Sequence, residues 1–118
     1  MKKFENPVFV NDPFMIVAEA FENLYPDRKY KAQFVEKIED EEGHEAFGET
    51  FFPDDKSTPI VSVSGNIPMI HMIEIFAHEL AHVETPDDKN HGREWDEAFE
   101  KIAEEYHKIL ERRSHHVK

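Results

Sequence analysis

Cysteine is absent from this 118-residue chain. That excludes disulfides and thiolate metal sites, and it makes a reducing cytoplasm the expected setting. Basic side chains are scarce: 14 Lys and Arg stand against 26 Asp and Glu, for a formal net charge of −12. Proteins bind phosphate backbones by displacing counterions with Lys and Arg, so no direct nucleic-acid binding is expected. Long apolar runs are also missing. Nothing approaches the ~18 consecutive apolar residues of a membrane span, and residues 1–10 carry neither the apolar stretch nor the small-residue cleavage site of a secretory leader. There is no internal repeat and no low-complexity linker. What remains is 39% apolar and 34% charged, the balance of a folded domain. One domain over residues 1–118 is expected, with its core at about 12–112 and a polar, frayed tail at 114–118.

Periodicity divides the chain into elements. Asp12 followed by Pro13 is a helix start, an N-cap with proline at the first helical position. Phe14, Val17, Ala18, Phe21 and Leu24 then recur at helical spacing, and Pro26-Asp27 ends the run. Residues 30–38 and 46–52 read as strands, the second with Phe47 and Phe51 on one face. They flank the acidic run Glu39-Asp40-Glu41-Glu42-Gly43, a solvated turn. Residues 60–64 form a short third strand. A helix is expected over about 67–83, capped by Asn66, with Ile70, Ile73, Ala77, Leu80 and Ala81 as its buried stripe. A last helix begins near Asn90 or His91 and carries Trp95, Ala98, Phe99, Ile102, Tyr106, Ile109 and Leu110 on its apolar face. The order α-β-β-β-α-α gives an α+β domain with helices covering one face of a small sheet.

Histidine is abundant, with eight residues, so spacing must carry any argument about chemistry. His78-Glu79-Leu80-Ala81-His82 fits H-E-x-x-H. Residues i and i+4 share a helix face, about 40° apart on the wheel, so two imidazoles converge on one ion. Leu80 and Ala81 turn into the apolar stripe, leaving the histidines at its border, where a cleft can open. Glu79 lies beside them, placed to take a proton from a water whose pKa zinc lowers to about 7. Catalytic zinc usually keeps three protein ligands and one open position. His91, beyond a loop with Pro86 and two aspartates, is the candidate third ligand. Gly92 after it would let the backbone approach closely or turn sharply, and the packing of Trp95 and Phe99 would fix where His91 points. Three neutral imidazoles suit one Zn2+ ion.

His78 to His82, followed by His91-Gly92 and the aromatic Trp95, resembles the SprT-like minimal zincin domain, as does the order of elements over about residues 12–112. The resemblance implies a zincin-like metallopeptidase fold, with His78, His82 and His91 as zinc ligands and Glu79 as catalytic acid/base. It also implies that the strand at 46–52 is the edge along which an extended polypeptide substrate lies, with Ala46, Gly48 and Thr50 leaving room above the metal. Many members carry a cysteine-rich zinc ribbon or DNA-binding segments. This chain has neither cysteines nor a basic tail, and its loop between the second and third histidines is short for the family. Metzincins match less well, because no methionine follows the motif.

Other residues have plainer readings. His71 is about 10.5 Å of helix from His78, too far to share an ion, and reads as a rim residue. Glu74 could orient His78, although a solvated glutamate is the simpler reading. His44, His115 and His116 fall in polar segments. Arg93 and Tyr106 are candidates to steady an oxyanion. Two other functional classes compete with a peptidase. A YbeY-like metal-dependent ribonuclease also uses three histidines, but does not require Glu79. A non-catalytic zincin-like module would close the metal with a fourth ligand, such as Glu84 or Asp87.

Overall fold

The computed structural model describes residues 9–88 and 90–114. The expectations for His115, His116 and residues 1–8 therefore lie outside the described residues. The elements are α1 (Pro13–Leu24), β1 (Lys31–Val35), β2 (Ile38–Glu39), β3 (Glu45–Ala46), β4 (Gly48–Phe51), β5 (Ile60–Ser64), α2 (Met69–Glu84) and α3 (Arg93–Arg113). This is an α+β fold of three helices with a small three-stranded sheet and a separate short hairpin. No helix among the described residues is long and apolar enough to cross a membrane.

The α1 start follows the expectation. Asp12 Oδ1 accepts from Phe14 N at 3.0 Å and Met15 N at 3.4 Å, with Pro13 opening the helix. The α2 start does not. It begins at Met69, and Pro68 rather than Asn66 holds the cap position, at φ −56° and ψ 144°. Proline disfavours helical torsions in the residue before it, so Ile67 is held out of the helix and Asn66 cannot stand next to its first residue. α3 likewise begins two residues beyond His91, with Gly92 at its cap.

The sheet runs β1-β5-β4, with β5 central, parallel to β1 and antiparallel to β4. The two long strands expected on either side of the acidic run are each broken. Ile38 and Ala46 leave the main sheet to pair with each other, making the β2–β3 hairpin. Asp40 organises its turn: Oδ1 accepts from Glu42 N at 2.9 Å and His44 N at 2.8 Å, while Gly43 takes φ 84°. An acceptor side chain and a left-handed glycine are the standard components of a tight turn, and here they draw residues 38–46 into a unit of their own.

α2 packs on β4 and β5 on one side and on α1 and α3 on others. That is why its buried set is wider than one stripe. Phe76, Ala77, Leu80, Ala81 and Val83 are buried together with Val61 and Val63 of β5 and Trp95, Ala98 and Ile102 of α3. Ile70, expected in the stripe, is 69% exposed in the first turn of α2. Phe99 is only partly buried. A second cluster of Ile16, Ala20 and Ile109 fastens α1 to α3.

Candidate metal centre

His78 and His82 stand one turn apart in the second half of α2, with Ala77, Leu80 and Ala81 buried beneath. The chain then leaves the helix through Thr85, whose hydroxyl donates to Ala81 O at 2.7 Å, and turns at residues 85–88, where Asp88 N–H meets Thr85 O at 3.0 Å. It returns with His91 facing the pair. His91 Nε2 lies 2.9 Å from His82 Nε2 and 3.1 Å from His78 Nε2. Among the described residues, these three form the one group of His and acidic side chains whose ligand atoms lie close enough together to hold a metal ion, all within 4.8 Å.

The donor set fits a cation. A ring nitrogen either carries a proton or offers a lone pair, never both. His91 Nε2 therefore cannot donate to one neighbour and accept from the other, and hydrogen bonding alone leaves one contact unsatisfied. A shared cation satisfies all three lone pairs. Tetrahedral Zn–N bonds of ~2.0–2.1 Å put ligand nitrogens roughly 3.3 Å apart, close to the two distances from His91 Nε2. His78 and His82 are also shifted toward the neutral form, the one that binds metal. Burial, then the neighbouring histidines, push His82 down to about 4 against a weak opposing pull from Asp88. Burial and His91 lower His78, and exposed Glu74 partly offsets this.

Trp95 forms a wall against the three rings, its centroid 4.7, 5.7 and 4.6 Å from those of His78, His82 and His91. Its Nε1–H donates to His78 O at 3.2 Å, and its ring stacks on Phe99 at 5.2 Å. The packing expected to aim His91 is thus a direct ring contact.

Glu79 is 6% exposed. The Thr50 hydroxyl donates to its Oε1 at 2.7 Å, leaving Oε2 3.9 Å from His78 Nε2. Burial pushes its carboxyl up to about 6, assisted by the charge of Glu49 and opposed by the Thr50 hydrogen bond. Gly48 sits directly over this group: a Cβ there would overlap Ile75 Cγ2 and come within 2.8 Å of Glu79 Oε2. Of the three small residues expected above the metal, Gly48 and Thr50 pack on Glu79 and Ala46 belongs to the hairpin. An open cleft of about 570 Å³ borders Glu79 and His82 and is walled by Glu41, Glu49, Thr50 and Phe51.

The other candidates lie elsewhere. Glu84 pairs with Arg28 at 3.1 Å, and Asp87 is exposed; neither joins the histidine group. Arg93 pairs with Glu97 along α3. Tyr106 packs against both apolar clusters. His44 faces Asp40 and Glu42 in the hairpin, and His71 is exposed. Of the two roles expected of Gly92, the close approach holds, since a Cβ there would stand 2.8 Å from Asp88 Oδ1, and the sharp turn does not. His91 itself takes the left-handed φ of 54°, and Gly92 has an extended backbone. The roles of the Thr50 hydroxyl and of Asp88 were missed from sequence. The signal for Asp88 was an acidic side chain shortly before a helix start. Scans against protein-family models, curated proteins and solved structures find no match to this chain.

Proposed function

We propose that the protein is a zinc-dependent metallopeptidase with His78, His82 and His91 as ligands and Glu79 as general base. The observation that carries this reading is the meeting of three Nε2 atoms beside a buried carboxyl with one free oxygen. Bound there, zinc would supply Lewis acidity and lower the pKa of water toward 7. Thr50 holds Glu79 Oε1, so Oε2 is the atom that takes a proton from water in the cleft and later returns it to the leaving amine. In the metal-free fold burial raises this carboxyl to about 6, and a cation bound beside it would draw it back toward the ionised form that a general base needs. No fourth side chain closes the histidine group among the described residues, which favours catalysis over a structural metal.

The substrate is an extended polypeptide on the free edge of β4. Strand edges bind main chain without demanding a sequence, and β4 is an edge strand that lines the cleft with Thr50 and Phe51. Glu41 and Glu49 favour a basic or neutral peptide. The reading agrees with the SprT-like pattern from His78 to Trp95. A YbeY-like ribonuclease has no use for a buried Glu79 and would have to bring phosphates into an acidic cleft.

The test pairs metal analysis with turnover. Purified wild type should hold about one equivalent of zinc and cleave unfolded protein or members of a broad peptide library. Glu79→Gln should keep the zinc and lose ~10²–10⁴-fold in rate. A zinc-loaded wild type that cleaves nothing in that library would overturn the peptidase and leave a metal-binding module.

A further inference from the structure

The loop joining α2 to α3 does more than connect them. Asp88 Oδ1 accepts from Gly92 N at 2.8 Å and its Oδ2 from Trp95 N at 3.1 Å. Between the carboxylate and its two donors sits His91 at φ 54°, a region that side chains with a Cβ avoid. Gly92, at φ −79° and ψ −159°, has torsions any residue adopts, so glycine is not required there for its own conformation. It is required for space: a Cβ would stand 2.8 Å from Asp88 Oδ1 and 3.2 Å from its Cγ. Trp95, the second donor, is the residue whose ring touches all three imidazoles.

We propose that Asp88 is a positioning residue of the metal centre, a latch that holds His91 in its left-handed conformation with Nε2 turned onto His78 and His82. The inference rests on the reading of those three histidines as metal ligands. Both carboxylate oxygens are used on backbone N–H groups that follow the ligand, at Gly92 and Trp95, so the chain is closed around His91 from Asp88 before it to the start of α3 after it. The latch also gives a physical reason for the spacing Asp88, His91, Gly92, Trp95: an acceptor, the ligand it aims, the gap that admits the acceptor, and the wall behind the ligand. A simple helix cap would use the same hydrogen bonds to satisfy orphan N–H groups of α3. A cap alone changes the stability of the fold, whereas a latch changes the affinity of the metal.

A double-mutant cycle on the full chain separates the two, with Co2+ and Zn2+ affinity as the readout and the visible absorption of bound Co2+ reporting the coordination number and geometry at the metal. Asp88→Ala should weaken both metals by ~10–100-fold, the usual effect of losing a group that orients a ligand, and should alter the Co2+ spectrum. Gly92→Ala should weaken binding in the wild-type background, because its methyl displaces the carboxylate. In the Asp88→Ala background the three atoms nearest that methyl are gone, and it should change affinity by less than about twofold, so the two effects are strongly non-additive. If Asp88→Ala does not fold, Asp88→Asn, which keeps one acceptor, takes its place and should show a smaller loss. Affinity within about twofold of wild type in the folded Asp88 variant, or independent effects of the two substitutions, overturns the latch. A wild type that takes up neither metal overturns the metal reading as well.

Discussion

α2 delivers two imidazoles from consecutive turns of regular helix, on a ridge whose opposite face is buried against β5 and α3. The loop after it delivers the third from a left-handed residue held by hydrogen bonds to a single carboxylate. Helix geometry alone brings His78 and His82 together; any sequence that forms α2 presents them side by side. Nothing in the torsional preference of a histidine brings His91 to meet them. The pair is therefore a property of secondary structure and the triad a property of tertiary structure, and the two should respond differently to perturbation.

The largest effect should come from removing ligands. His91→Ala leaves the helical pair intact, and two imidazoles one turn apart still bind a divalent ion, though weakly. His78→Ala or His82→Ala breaks the pair itself. Each should lower zinc affinity by more than ~100-fold, beyond the range typical of a supporting residue, with His91→Ala the mildest of the three. Competition against a chelator of known affinity measures the order. Full zinc retention by His91→Ala would remove the loop from the metal site and end the comparison.

The same contrast accounts for what could be read from the sequence. The pair, the buried positions Leu80, Ala81, Trp95 and Ile102, and the cap at Asp12 were legible because each depends on a fixed helical repeat or one local hydrogen bond. The hairpin was not. Strand periodicity runs through residues 30–38 and 46–52 without showing that Ile38 and Ala46 abandon the sheet for each other, a choice made by Asp40 and Gly43 in the turn. Ile70 fits the helical stripe yet lies exposed, since burial depends on where neighbouring elements end. His91 could be named as a candidate ligand, but not the arrangement around it: Asp88 showed only as an acidic residue before a helix start, and its partners are the backbone N–H groups of Gly92 and Trp95, which no residue code displays.

A smaller effect, of about 1–3 kcal/mol, is expected where α2 meets β4. Gly48→Ala forces a methyl into Ile75 and against Glu79 Oε2, an overpacked contact of the kind that costs that much. The helix side of the centre rests on this contact, while the loop side does not touch it. Turnover should therefore fall with the displaced carboxylate, while zinc content stays at about one equivalent. Urea unfolding and metal analysis of the same preparation check both. A Gly48→Ala protein of wild-type stability and activity would mean that β4 does not support Glu79.

The smallest effect concerns protons in the metal-free protein, where α2 carries two opposed groups. His82 has a pKa near 6.5 in the unfolded chain and about 4 in the fold, and His78 is lowered as well. Between those values the unfolded state binds more protons, so their contribution is complete above 6.5 and is lost as pH falls toward 4. Glu79 runs the other way. Its carboxyl rises from 4.5 to about 6, so the folded state holds a proton that the unfolded state has released, and stability declines as pH climbs through that interval. The shift corresponds to about 2 kcal/mol above pH 6. In wild type the two trends oppose each other between 4.5 and 6 and flatten the profile. Glu79→Gln keeps an acceptor for the Thr50 hydroxyl and removes the charge. Its metal-free form should be more stable than wild type above pH 6.5, by at most about 2 kcal/mol, and should lose stability more steeply on acidification. Urea midpoints from pH 4.5 to 8 in the presence of chelator would show this. Superimposable profiles would mean that the buried carboxylate is solvated in a way that its contacts do not reveal.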